Sequence, residues 1–330
     1  MGPAAQLRRI AYLLERTHEP TYRVRAFRTA AATVDAVPGD KLADSRLTEL
    51  PGIGKTTALV VSEALAGGTA TYLQRLEQAY APLATGGERL LRALRGDLHT
   101  HSDWSDGGSP IQEMAAAAVA LGHQYVALTD HSPRLTVANG LSPERLREQL
   151  DVVAGLNAEL APFRLLTGIE VDILDDGAID QEPDLLARLD IVVASVHSKL
   201  RMDSAAMTSR LITAVRNPLV DVLGHCTGRL ITGRGRPESS FDSELVFAAC
   251  ARFDVAVEIN SRPERLDPPR RLLQEAIDAD CLFAINTDAH APGQLEWQAY
   301  GCARAQECGV PTARVVNTWP ADELSAWATR

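Results

Sequence analysis

Lysine, paired cysteine and long apolar runs are what this chain lacks. Of its 33 basic residues only Lys41, Lys55 and Lys199 are lysines, so an amine nucleophile has few candidate positions and most cationic contacts to anions would come from arginine. The five cysteines, at 226, 250, 281, 302 and 308, are odd in number and form no Cys-x-x-Cys pair. They read as reduced thiols; Cys226 adjoins His225 but is not expected to hold a metal. No apolar run reaches the roughly 20 residues needed to cross a bilayer. The opening Met-Gly-Pro-Ala-Ala-Gln-Leu-Arg-Arg-Ile lacks the apolar stretch of a signal peptide, and the expected location is cytoplasmic. Low-complexity tracts and internal repeats beyond the secondary-structure alternation are also missing. What remains, 330 residues at 45% hydrophobic and 23% charged, is ordinary globular composition with room for one barrel and a small second domain.

Histidine is scarce, and its placement is informative. Of eight histidines, six stand where an apolar, β-branched stretch stops. Leu98 leads into His99-Thr100-His101, with Asp106 five residues on. Tyr125 to Thr129 ends in Asp130-His131, Phe163 to Ile169 in Glu170, Ile191 to Val196 in His197, and Val220 to Gly224 in His225. Leu282 to Thr287 ends in Asp288-Ala289-His290, and Val255 to Ile259 in the polar Asn260-Ser261-Arg262. Residues two apart in a strand point the same way, so His99 and His101 can converge on one ion. Between the runs lie helix-like segments: Pro110 to Leu121, Pro143 to Leu160, Ser204 to Val215, Glu244 to Arg252 and Arg270 to Asp278. Strands alternating with helices imply parallel βαβ units, and ligands collected at strand C-termini imply the active mouth of a closed barrel. The expected class is α/β, a distorted TIM-like barrel of seven strands.

The runs DLHTHSDWSDG, ALTDHSPRLTVANGLS, TGIEVDIL, ASVHS, LGHCTGRL, VEINSRPERLD and INTDAH resemble the polymerase and histidinol phosphatase (PHP) domain family, most closely the PHP domain of bacterial family X DNA polymerases, over about residues 95 to 320. The resemblance implies a centre of three divalent ions, zinc, manganese or iron. It implies that His99, His101, Glu170 and Asp288 hold the first, that Glu170 bridges to a second completed by His197 and His225, and that Asp106, His131 and His290 hold the third. Such ions make hydroxide available from water near neutral pH and neutralise phosphate oxygens, so no side-chain nucleophile is needed. Arg134, Arg229 and Arg262 follow strand-end ligands closely enough to be expected phosphate contacts, with Lys199 a further candidate.

The first 95 residues differ in character. They carry 13 Lys/Arg and 9 Asp/Glu, a balance of +4, against 20 and 34, a balance of −14, in residues 96 to 330; only the former attract a polyanion at long range. The run Leu50-Pro51-Gly52-Ile53-Gly54-Lys55-Thr56 resembles a helix-hairpin-helix motif, which implies phosphate contacts from Gly52, Ile53, Gly54, Lys55 and Thr56. The surrounding stretch resembles the small helical domain of family X polymerases. Residues 1–85 are therefore expected as a helical DNA-binding domain, 86–95 as a linker and 96–330 as the PHP phosphoesterase domain. Barely twenty residues separate Leu76 from the PHP signature, which leaves no room for a polymerase palm. Val60 stands where an animal repair member carries its Schiff-base lysine, so abasic lyase chemistry is not expected. The expected function is a metal-dependent hydrolase acting on nucleic acid, a 3′–5′ exonuclease or 3′-end processor in DNA repair, with DNA as partner and no polymerase activity. The alternatives are a small-molecule phosphatase of the histidinol-phosphate type and a DNA-binding accessory with a purely structural barrel.

Overall fold

The computed structural model describes residues 1–44 and 46–329, which divide into two units. The first comprises Met1–Pro82 with the short stretch Ala291–Gln294, and the second begins at Leu83.

The first unit is helical: α1 (Pro3–Arg16), α2 (Thr21–Ala36), α3 (Gly39–Asp44), α4 (Lys55–Leu65) and α5 (Thr71–Gln78). Apolar residues at helical spacing, Leu7, Ile10 and Leu14 on α1, Phe27, Ala30 and Val34 on α2, and Val60, Val61 and Leu73, bury together as one core. Two polar ties fix that packing. Glu15 pairs with Arg28 through two bonds of 2.9 Å, and the Gln6 amide bridges the Gly68 carbonyl at 2.8 Å and the Ala70 amide at 2.7 Å.

In the second unit α6 (Glu88–Ala93) precedes β1 (Gly96–Thr100). Residues 86–95, expected as a linker, therefore belong with the barrel: Arg95 donates its amide to Asn317 O at 2.7 Å and Gly87 to Gln306 Oε1 at 2.9 Å. There follow α7 (Ile111–Ala120), β2 (Tyr125–Leu128), α8 (Pro143–Leu160), β3 (Arg164–Asp172), α9 (Pro183–Leu186), β4 (Ile191–Ser195) and α10 (Ser204–Val215). Next come β5 (Val222–Leu223), α11 (Ser243–Arg252), β6 (Ala256–Asn260), α12 (Arg270–Asp278), β7 (Phe283–Asn286), α13 (Gln298–Cys308) and α14 (Ala321–Ala328). The strands are all parallel and neighbour one another in chain order. The fold is a nearly closed (β/α)7 barrel.

Strand alternation sets what faces where. On β4, Ile191 and Val193 join the inner core with Leu98, Tyr125, Leu166 and Val222, whereas Val192 and Ala194 join the outer layer beneath the helices. By the same period Ala256, Glu258 and Asn260 share one face of β6. Strand β3 runs past the expected end at Ile169. Its first half pairs with β2 and its second half, Gly168–Asp172, with β4, so Glu170 sits within the strand, not beyond it. Between β1 and β7 the backbone ladder reduces to the bridge Thr100↔Ala289. Side chains stitch the rest: Asn286 Oδ1 accepts from the Leu98 amide at 3.1 Å, and Asp97 accepts from the Thr287 amide and hydroxyl. The register shift between Asp97 and Thr100 lets neighbours Leu98 and His99 both reach the interior, which strict alternation forbids.

Candidate metal centre

At the C-terminal mouth of the strands, nine side chains from six segments gather, with Glu170 at their centre. Its Oε2 lies 2.8 Å from His131 Nδ1, 3.4 Å from His99 Nε2 and 3.6 Å from His101 Nε2. Its Oε1 lies 2.9 Å from His225 Nε2 and 3.3 Å from His197 Nε2. Asp288 Oδ1 stands 3.4 Å from His101 Nε2 and 3.5 Å from His290 Nδ1. Asp106 Oδ1 stands 3.3 Å from His290 Nε2 and 3.5 Å from His131 Nε2. Two donors each about 2.0–2.1 Å from a tetrahedral ion are about 3.3 Å apart, which is the spacing these atoms adopt.

Among the described residues, three donor groups are compact enough for one ion each: His101, Asp106, His131 and His290; His99, His101 and Glu170; and His131, Glu170 and His197. This grouping differs from the partition the family resemblance implied. His101, His131 and Glu170 each serve two groups, and His131 enters the pocket between Glu170 and Asp106.

The donor chemistry fits metal ions. Among the described residues, buried nitrogens of His99, His101, His197 and His225 have no hydrogen-bond partner. Orphaned polar atoms at that density are costly unless something else satisfies them. The pKa directions agree. Burial alone would raise the Glu170 carboxyl, yet the imidazoles of His99, His197 and His131 hold it well below its usual range. Burial likewise opposes ionisation of Asp288, and Arg262 and His101 reverse that. Burial, then His290 and His131, keep the His101 ring well below its ordinary value, so it is neutral and able to ligate. His197 is desolvated but rises to about 9 beside Glu170, and a bound cation displaces such a proton.

The buried carboxylate of Glu258 escaped the sequence reading. Glu258 accepts from His99 Nδ1 and the His225 amide at 2.7 Å each, Asn286 Nδ2 at 3.0 Å and Asn260 Nδ2 at 3.1 Å. It leaves His99 Nε2 aimed at Glu170, the arrangement that orients a ligating imidazole. An acid in the middle of the apolar run Val255 to Ile259 was the available signal.

The phosphate candidates separate. Arg262 lines the cavity, 3.1 Å from His290 Nδ1. So does Arg265, which the sequence reading passed over; its Nε is 3.2 Å from Asp288 Oδ2 and its Nε and Nη1 have no hydrogen-bond partner. Arg229, Lys199 and Arg134 do not line it. Arg229 is spent on the carbonyls of Arg265, at 3.0 Å, and Leu266, bracing the loop that carries Arg262 and Arg265. Lys199 is exposed and paired with Asp175, and Arg134 is exposed on a loop whose amide is held by Asp180. Each follows its strand by enough residues for the chain to turn outward.

In the helical unit, Gly52 adopts φ +74, and a Cβ there would meet Thr29 Cγ2 at 2.4 Å. Ile53 is buried, and Gly54 caps α4, its amide held by Thr57 Oγ1 at 3.0 Å. Lys55 and Thr56 then open the helix beside a 350 Å³ cavity also lined by Tyr22, Arg23 and Tyr72.

Comparison with known proteins places this geometry. Residues 97–261 match the PHP domain, and residues 3–70 match a helix-hairpin-helix domain. The chain belongs to the PHP domain family. It is a metal-dependent phosphoesterase with a helix-hairpin-helix unit at its N-terminus. A relative described as "DNA polymerase/3'-5' exonuclease PolX", from Bacillus subtilis, is 41% identical over 240 residues, 73% of this chain but 42% of that protein; the chain thus spans under half of it. A "Probable phosphatase" of Thermoanaerobacter sp. is 30% identical across 67% of this chain and 89% of its own length, and one of Caldanaerobacter subterraneus is 32% identical across 67% and 86%. A solved histidinol phosphate phosphatase from Lactococcus lactis, complexed with zinc, L-histidinol and phosphate, shares 20% identity over 65% of this chain and 94% of its own, with a TM-score of 0.49. No helix among the described residues is long and apolar enough to cross a membrane.

Proposed function

We propose that this PHP phosphoesterase acts on DNA, removing nucleotides or terminal groups from 3′ ends, with the helical unit holding the strand and the barrel cutting it. The observation that carries the reading is the pairing, in one chain, of a full nine-residue donor cluster with a helix-hairpin-helix unit of opposite charge balance. His99, His101, Asp106, His131, Glu170, His197, His225, Asp288 and His290 would hold up to three divalent ions, for which zinc, manganese and iron suit the imidazole and carboxylate donors. Such ions, when bound, supply Lewis acidity toward phosphate oxygens and bring the ionisation of water toward neutral pH.

The chain's own residues do the rest. Arg262 and Arg265 bring two permanent cations to the cavity wall and orient a phosphate by paired N–H donors. Glu258 fixes the His99 ring. Gly54, Lys55 and Thr56 present backbone amides and one cation to a phosphate further along the strand. The B. subtilis relative, named as a 3′–5′ exonuclease, supports the polarity. The short connection between Leu76 and β1 supports a chain that degrades or trims without polymerising.

A second reading, a small-molecule phosphatase, is favoured by the phosphatase-named relatives, which this chain covers nearly end to end. The two are separated by comparing turnover of 3′-labelled single-stranded DNA with that of histidinol phosphate, in manganese and in chelator. Faster metal-dependent turnover of DNA supports the first reading. Preference for the monoester overturns it, and no metal-dependent turnover of either overturns both.

A further inference from the structure

Most of the 390 Å³ cavity wall at the barrel mouth is ionisable, but three lining residues are not: Leu135, Leu230 and Thr232. Both leucines are half-buried, and neither belongs to any apolar cluster of the barrel, so core packing does not explain them. They come from two loops, each fixed by its own backbone. The loop after β2 is pinned by Ser132 N to Glu170 O at 3.0 Å, Leu135 N to Ser132 O at 3.2 Å and Leu141 N to His131 O at 2.7 Å. Gly140 packs against it so closely that a Cβ would sit 1.9 Å from Ser132 O.

The loop after β5 is a small hairpin. Leu230 and Arg236 exchange backbone bonds of 2.9 and 2.8 Å, the turn closes by Gly235 N to Thr232 O at 3.0 Å, and Ile231 N to Glu264 O at 2.7 Å ties it to the loop of Arg262 and Arg265. Alternation along the hairpin points Leu230 and Thr232 into the cavity and leaves Ile231 51% exposed.

We propose that Leu135 and Leu230 form a slot for the nucleoside attached to the scissile phosphate, and so set the preference of this site for nucleotides over simple phosphate esters. The inference rests on the phosphoesterase reading of the cavity. Its occupant must carry an anion for Arg262 and Arg265 and an apolar moiety for two aliphatic side chains, in a volume at the small end for ligand pockets. A single nucleotide meets all three conditions and inorganic phosphate fails the second. Leucine offers no hydrogen bonds, so the slot grips any base; Thr232 is the one non-ionisable polar side chain in the lining.

The test compares thymidine 5′-(p-nitrophenyl phosphate) with methyl p-nitrophenyl phosphate, which share a leaving group, on the metal-loaded full chain and on Leu135→Ala, Leu230→Ala and the double variant. The wild type should favour the nucleoside ester in kcat/KM. The double variant should lose roughly tenfold or more of that preference, each single variant part of it, and the methyl ester should change by less than about twofold. Equal loss on both esters, as expected if the leucines only exclude water, overturns the slot, as does an unchanged ratio. Equilibrium binding of thymidine 5′-monophosphate against inorganic phosphate gives a readout without turnover. The wild type should bind the nucleotide more tightly, with the margin lost in the double variant; no margin in the wild type overturns the slot. If the metal-loaded wild type hydrolyses neither ester, the phosphoesterase reading fails instead, and the binding margin still decides the slot.

Discussion

Glu258→Gln exchanges one oxygen for an amide and keeps the side-chain volume, yet it should be among the most damaging conservative changes in the barrel. The carboxylate is fully buried and accepts four bonds, from His99 and Asn286 on one oxygen and from the His225 amide and Asn260 on the other. All four partners are donors, so whichever way the glutamine turns, its NH2 opposes two of them. Bonds to a charged group contribute about 1.5–3 kcal/mol each, and an unsatisfied buried donor costs about 1–3 kcal/mol. A loss of about 3–5 kcal/mol follows, or a fall in Tm of roughly 10 °C for a domain of this size. With His99 no longer oriented, metal affinity should drop about 10–100-fold. Calorimetric unfolding and competition against a chromophoric chelator read the two effects. Wild-type Tm and metal affinity in Glu258→Gln would refute the assignment of Glu258 as the residue that positions His99.

Glu170→Gln removes the one charge that five imidazoles share and should lower bound metal, measured by elemental analysis, and cut phosphodiester turnover by more than about 100-fold; full metal content would count against its bridging place. Gly52→Val forces a Cβ toward Thr29 in a left-handed backbone and should cost the helical unit about 1–3 kcal/mol, weakening DNA binding while sparing a small chromogenic diester, so equal loss on both would end the division of labour between the units. Chelation should lower Tm, since ions present at 100 times Kd stabilise by about 2.7 kcal/mol; an unchanged melting curve argues against a loaded centre. Burial lowers the His123 pKa to about 4 from its ordinary 6.5. The unfolded chain therefore takes up the proton first, and stability should decline as pH falls from about 6.5 to about 4, by at most roughly 3 kcal/mol, a decline that His123→Asn should remove in urea titrations across that range.

Much of the barrel was legible because its strands are short β-branched runs and its helices Ala/Leu/Arg-rich; α8, α10 and α12 begin and end where the residue pattern placed them. The helices α13 and α14 were not, since their small residues and half-buried faces give weak periodicity. The donor cluster could be read because histidine is rare enough that six of them at five strand ends stand out. Glu258 could not, because one acid in an apolar strand has no partner visible in sequence: its four donors come from β1, β6, β7 and the end of β5. The rim arginines divide for a related reason. Distance along the chain from a strand end does not say which way a loop turns, so Arg229 and Arg265, both on mouth loops, end up as brace and lining.

The seam between β1 and β7 gives the candidate ions a mechanical part in the fold. Among the described residues Thr100↔Ala289 is the one backbone bridge there, so this edge is where a ring of seven strands should fray first. His99 and His101 flank it on one side, Asp288 and His290 on the other. An ion held between His101 and Asp288, now 3.4 Å apart, would act as a clasp across the least-knit joint, so that losing it would let amide protons of β1 exchange before those of β3 or β4.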